Sequence, residues 1–258
     1  MDETDRKILF ELLKDGRVSQ RLIAENIGIS AQVLNYRLNR LIEDGVIRKF
    51  FLHIDPGISG KLEEFAAFKS EKQYEGNVSV KLNCLEEITL YGFLGETRED
   101  LSSEIEKASH FLGPPVMRYF PPQRPFSAKL KDLDMKIIEL LRKDPRMPVS
   151  SIASTLEQPF PAIRRRLNYM KENRVFSVIT QINLSTGSPV LYSIFSKILD
   201  RLPQSFYSES VFSIKDSNAG FALLYANTLR DARATVTMVR EKDPSAEVMV
   251  LYDYEFYR

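Results

Sequence analysis

The same three-helix grammar occurs twice in this chain, in register and without a gap, 129 residues apart. One copy begins at Asp5 (DRKILFELLKDGRVSQRLIAENIGISAQVLNYRLNRLIEDGVI) and the other at Asp134 (DMKIIELLRKDPRMPVSSIASTLEQPFPAIRRRLNYMKENRVF). Fourteen positions between Asp5 and Ile47 are identical in the second copy, among them Asp15, Arg17, Ile23, Ala24, Arg37, Leu38, Asn39 and Val46. This is a duplication, so any fold or function proposed for one copy must be asked of the other.

In the first copy Ile8, Leu9, Leu12 and Leu13 recur at helical spacing behind Asp2, Thr4 and Asp5, which suit a helix N-terminus. That helix ends near Gly16. Ser19 caps a short second helix through Asn26, Gly28 supplies a tight turn, and Ser30 caps a third helix to about Asp44. Three short helices with a glycine turn before the third form a helix-turn-helix pattern. Beyond it, VIRKFFLHID alternates and is β-prone, which predicts a wing hairpin.

Each helical copy is followed by a β-rich module. In the first, EEFAAFKS, NVSVKLN, EEITLYGFL and VMRYFP read as strands, and REDLSSEIEKASHFL as an amphipathic helix. The second repeats the plan with PVLYSIFS, SVFSIKD and FALLYAN around Ser217 to Gly220, then the helix LRDARATVTMVREK and the strand EVMVLYDYEF. Helices on one face of an antiparallel sheet make each module an α+β sandwich. Pro121, Pro122 and Pro125 predict a stiff extended connector. The expected order is a winged helix-turn-helix at 1–54, an α+β domain at 55–120, a proline-rich linker at 121–131, a second winged helix-turn-helix at 132–183 and a second α+β domain at 184–258.

Composition limits the function classes. The opening MDETDRK is too polar for a secretory signal, and no apolar run approaches the roughly 18 residues of a membrane span. A cytoplasmic protein without a membrane partner is expected. One cysteine, Cys84, excludes an intrachain disulfide and a cysteine metal cluster. The formal charge is +1 overall, but residues 1–54 carry +1, residues 129–183 carry +5 and the remainder carries −5. The positive excess lies in the second helical copy, where a polyanion would be held.

The DETDRKILFELLKDGRVS segment, followed by IAENIGISAQVLNYRLNRLIEDGVI, resembles the N-terminal domain of the Lrp/AsnC (feast/famine) transcription regulators, in the acidic start, the IG-x-S turn, the V/L-x-x-R-L/I-x-x-L run and the terminal GVI. The resemblance implies that each winged helix is followed by a ferredoxin-like, ligand-sensing RAM domain that pairs with another through its sheet. The fold class expected is therefore α+β, with two winged helix-turn-helix domains alternating with two RAM-like sandwiches. The resemblance further implies double-stranded DNA as partner, a small-molecule effector, pairing of the RAM-like domains within one chain, and a homodimer or higher oligomer. The family's Gly-x-x-Asp amino-acid turn has its nearest equivalent at Gly220 with Leu223, which lacks the carboxylate.

If Leu34, Leu38 and Leu41 face the core, the opposite side of the third helix presents Gln32, Tyr36, Asn39 and Arg40, with Asn35 on its flank and Ser30 at its start. Gln and Asn bond adenine bidentately, Arg bonds guanine, and Tyr reaches a phosphate. Arg37 lies near the core boundary, where it either meets DNA or holds an acidic partner. In the second copy Glu157 takes the glycine position and Pro159 the capping serine position, and the helix presents Arg164, Arg165, Arg166 and Asn168, a set weighted toward the DNA backbone. His53 and His110 are isolated, and no catalytic constellation, metal or cofactor is expected. Two rivals to a regulator remain: an enzyme like siroheme decarboxylase, whose subunits resemble this family, and a protein-interaction adaptor with a degenerate second helix-turn-helix.

Overall fold

The computed structural model describes residues 1–122, 126–186, 189–215 and 219–257. Pro125 of the expected linker and Ser217 of the expected turn lie outside the described residues. The first helical unit contains α1 (Glu3–Lys14), α2 (Gln20–Ile27) and α3 (Ala31–Glu43). Local chemistry sets each start. Asp2 and Asp5 form a reciprocal capping box on α1, Ser19 accepts the Leu22 N–H, and Ser30 accepts the Val33 N–H. Ile8, Leu9, Leu12, Ile23 and Leu34 are fully buried between the helices.

The strand β1 (Ile47–Ile54) follows α3. The first sandwich then contains β2 (Leu62–Lys69), β3 (Val78–Cys84), β4 (Ile88–Gly95), α4 (Arg98–Leu112) and β5 (Pro115–Tyr119). The second helical unit has α5 (Asp132–Lys143), α6 (Val149–Thr155), α7 (Phe160–Glu172) and β6 (Phe176–Ile182). The last sandwich has β7 (Val190–Ser196), α8 (Gln204–Ser208), β8 (Ser210–Lys215), β9 (Gly220–Ala226), α9 (Leu229–Lys242) and β10 (Glu247–Phe256). None of the helices is long and apolar enough to cross a membrane.

The expected wing hairpin is corrected. β1 does not turn back within its own unit but pairs antiparallel with β6 of the other. Its register is symmetric about a twofold: Phe50 faces Thr180 and Phe51 faces Ile179, and the 129-residue repeat makes Phe50 equivalent to Ile179 and Phe51 to Thr180. The same exchange relates the guanidiniums of Arg17 and Arg146. Arg17 donates to the Pro145 carbonyl at 2.8 Å, and Arg146 donates to the Gly16 carbonyl at 2.7 Å. Burial lowers both arginine pKa values from their usual height, opposed by Asp144 for Arg17 and by Asp15 for Arg146. A reciprocal contact made by the same residue from both sides is an isologous interface, here closed within one chain.

The two sandwiches share one eight-stranded sheet in the order β5-β2-β4-β3-β10-β7-β9-β8. Its seam is β3 with β10, from Leu251 opposite Cys84 to Phe256 opposite Val80. The halves fold face to face, so that Phe65 stacks on Phe221 and Tyr119 meets Phe195 edge-on. Outer faces are covered by helices. Leu101, Ile105 and Ala108 of α4 pack on Ala66, Phe68, Tyr91 and Phe93, while Ala232 and Val239 of α9 pack with Ile194, Ala222 and Leu224. Strands buried on both faces explain the near-continuous apolar runs of β2 and β4. The segment between β2 and β3 carries no helix, whereas its counterpart between β7 and β8 contains a 3-10 turn and α8.

Candidate nucleic-acid interface

α3 exposes the set expected of it. Gln32, Asn35, Asn39 and Arg40 are exposed, and Tyr36 is 66% exposed, while Leu34, Leu38 and Leu41 face the core. Arg40 leans toward Asp44 at 3.4 Å, an exposed i,i+4 pair that holds it weakly. Ser30 Oγ is engaged at the helix start by the Val33 N–H at 3.2 Å.

Arg37 does not join that face. Its guanidinium donates to Asp2 at 2.7 Å and Asp5 at 2.8 Å, fastening α3 to the start of α1. The hydrogen bond to Asp5, then that to Asp2, raises the Arg37 pKa further above its usual range. Arg166 repeats the arrangement in the second unit and is likewise removed from the exposed set. Its Nε donates to Asp134 Oδ1 at 2.7 Å, its Nη2 makes a second bond to the same carboxylate, and its plane lies 4.4 Å from the Tyr169 ring centroid. Asp134 is fully buried and also accepts the Lys131 N–H at 2.7 Å. Two of the arginines carried by the repeat are thus struts between the first and third helices.

α7 presents Arg164, Arg165 and Asn168 to solvent, and among the described residues neither Arg164 nor Arg165 has an ion-pair partner. The turns on either side of α7 keep the backbone of the first copy without its glycines. Gly28 sits at φ 78° and Gly45 at φ 68°, but their counterparts Glu157 and Arg174 adopt φ 52° and 55°, a region that favours glycine. The first turn of α7 also exposes Pro161 and, beside it, Phe160, which the residue pattern did not single out. Prolines at the cap and in the first turn are compatible with a helix start, so the pattern gives no function to the aromatic between them, and only its exposure at the helix tip marks it.

Other perturbed groups belong to packing. His53 is held within β1 opposite Ser177, and burial lowers its pKa against the pull of Asp55. His110 is an exposed residue in the last turn of α4. Burial pushes the Cys84 thiol up to about 12, and pushes Glu63 up to about 7 against a hydrogen bond from Ser79. No group of three or more His, Cys, Asp or Glu suited to a metal occurs among the described residues.

Residues 1–48 match the family described as winged helix-turn-helix DNA-binding, and residues 130–171 match the AsnC-type helix-turn-helix domain. An uncharacterised HTH-type transcriptional regulator of Pyrococcus abyssi is 37% identical over 95 residues, covering 36% of this chain and 60% of that protein. The HTH-type transcriptional regulator AldR of Mycolicibacterium smegmatis is 42% identical over 60 residues, 23% of this chain and 35% of that one. The chain thus spans about three fifths, or less, of these curated relatives. Among solved structures, the siroheme decarboxylase NirDL matches 99% of this chain and 93% of its own, with a TM-score of 0.51 and 12% identity. That likeness is one of fold, and it extends over both helical units and both sandwiches.

Proposed function

We propose that this chain, a member of the AsnC/Lrp family of winged helix-turn-helix proteins, is a DNA-binding transcription regulator that works as a single-chain pseudo-dimer in the cytoplasm. The observation that carries the reading is the exposed face of α3, where Gln32, Asn35, Tyr36, Asn39 and Arg40 stand clear of the core on a helix narrow enough for the major groove. The names of the relatives support it. Two twofold-related units with unlike outer faces favour an asymmetric site over a palindrome. The protein acts by binding rather than by catalysis in this reading, since its fold likeness to a decarboxylase carries no residue across at 12% identity.

The test is duplex binding by the full chain, with a preferred site enriched from a random pool. Replacing Asn39 by Ala should cost about 1 to 3 kcal/mol on that site and little on random DNA. Equal loss on both duplexes would refute base reading by α3, and failure to retain any duplex at low salt would refute the regulator reading altogether.

A further inference from the structure

The start of α7 is unlike that of any helix expected to grip phosphate. Pro159 occupies the N-cap without a side-chain cap bond, Phe160 is the first helical residue and Pro161 the second. Neither proline has an N–H, so the helix end has lost the cap and second-position donors and keeps only the Phe160 N–H to offer an anion. It is apolar and stiff instead. Phe160 is 46% exposed and Pro161 is exposed beside it. The corresponding residues of the first unit are Ser30, Ala31 and Gln32, a polar start with its cap bond in place.

An exposed phenyl ring would ordinarily invite a protein partner, but this one is followed one turn later by the exposed Arg164 and Arg165, then by Asn168. That surface suits a polyanion carrying an apolar spot. In a helix-turn-helix the N-terminal residues of the third helix meet the base edges. On the floor of the major groove the apolar group offered is the thymine 5-methyl, which an apolar side chain, Phe included, can cover. Resting on the DNA-binding reading above, we infer that Phe160, backed by Pro161, determines specificity in the second unit by covering a thymine methyl, while Arg164 and Arg165 hold the adjoining phosphates. The two prolines fix the backbone beneath the ring, so little backbone freedom is lost when it seats.

Deoxyuridine in place of thymine removes that methyl and leaves every hydrogen-bonding group intact, which gives a direct experiment. Each thymine of the enriched duplex is replaced in turn, and affinity is measured for the full-length wild type, Phe160→Ala and Phe160→Leu. Burying one methyl corresponds to about a fourfold change in affinity. The wild type should weaken by about that factor at one or two positions. Phe160→Ala should be weaker on the thymine duplex and indifferent to the swap there, and Phe160→Leu should keep part of the sensitivity. A wild type indifferent at every thymine, or a Phe160→Ala variant that keeps the full penalty, overturns the inference while leaving sequence-specific binding standing. Absence of any preferred duplex defeats the regulator reading itself, a separate outcome.

Discussion

The two helical units hold their skeleton in common and differ wherever the skeleton is not at stake. Both keep the acid and arginine that join first and third helix, Asp5 with Arg37 and Asp134 with Arg166, and both keep the arginine that reaches across the twofold, Arg17 and Arg146. Their anchorage to the neighbouring strands differs. Gly16 donates its N–H to the Val178 carbonyl at 2.8 Å, and Thr180 Oγ1 donates to the Leu12 carbonyl at 2.6 Å. A Cβ at Gly16 would lie 2.7 Å from that carbonyl oxygen, so only glycine allows the approach. The matching positions are Pro145, which has no N–H to donate, and Phe51, which has no hydroxyl. Tyr225 adds a hydrogen bond to the Arg6 carbonyl at 2.9 Å, and its ring meets Phe10 at 5.0 Å. The first unit therefore meets the sheet through α1, whereas the second meets it through β6, where Gln181 and Ile182 donate to Tyr254 at 2.6 and 2.8 Å. Duplication preserved the contacts that make a pseudo-dimer and released the rest to diverge.

The largest effect should come from breaking the shared strut in the unit where it is most buried. Asp134 is fully buried and receives three donors, from Arg166 and from the Lys131 N–H. Asp134→Ala leaves Arg166 with only its longer bond to the Lys129 carbonyl at 3.3 Å and should destabilise the chain by about 3 kcal/mol in denaturant or thermal unfolding. Asp5→Ala should do much less, because Arg37 retains Asp2 and both acids are partly exposed. Equal losses at the two sites would mean that the struts are not graded by burial.

Next in size is the division of labour between the outer faces. With +5 in residues 129–183 against +1 in residues 1–54, the second unit should supply the electrostatic share of affinity. Each phosphate contact steepens the dependence of log affinity on log salt by about 0.9. The Arg164→Ala, Arg165→Ala double variant should flatten that slope by up to roughly 2 units with sequence preference largely kept. An unchanged slope with altered preference would exchange the roles assigned to the two units.

Local structure was legible in the sequence because local chemistry fixes it. The spans of α4 and α9 follow from apolar periodicity behind the N-caps Thr97 and Thr228, and the strand β10 coincides with its alternating run. Long-range pairing was not legible. The alternation of β1 gives its two faces but not its partner, and a strand whose partner is the twin strand 129 residues away looks like half of a hairpin. The site divides the same way. The helical period separates Gln32, Asn35 and Asn39 from the core, yet Arg37 and Arg166 sit at the boundary, where only the position of Asp5 and Asp134 on a different helix decides that they are struts. Identity between the copies marks these arginines as important without saying for what.

The smallest effect probes the turn that opens the third helix. Gly28 adopts φ 78° with open space around the position of a Cβ, so any cost of a side chain there is conformational and not steric. Glu157 adopts φ 52° at the equivalent place and already bears that cost. A non-glycine residue in this region loses on the order of 1 kcal/mol relative to glycine, with part of the difference offset because glycine also gains freedom in the unfolded chain. Glu157→Gly should therefore stabilise the chain by roughly 0.5 to 1 kcal/mol, and Gly28→Ala should destabilise it by about the same amount or slightly more. Thermal unfolding of the two single variants and of the double variant reads this directly. The turns belong to different units with no shared contacts, so the double variant should return close to the wild-type stability. If Glu157→Gly instead destabilises, the Glu157 side chain contributes something that its backbone conformation does not reveal, and the two turns are not equivalent in energy as they are in sequence position.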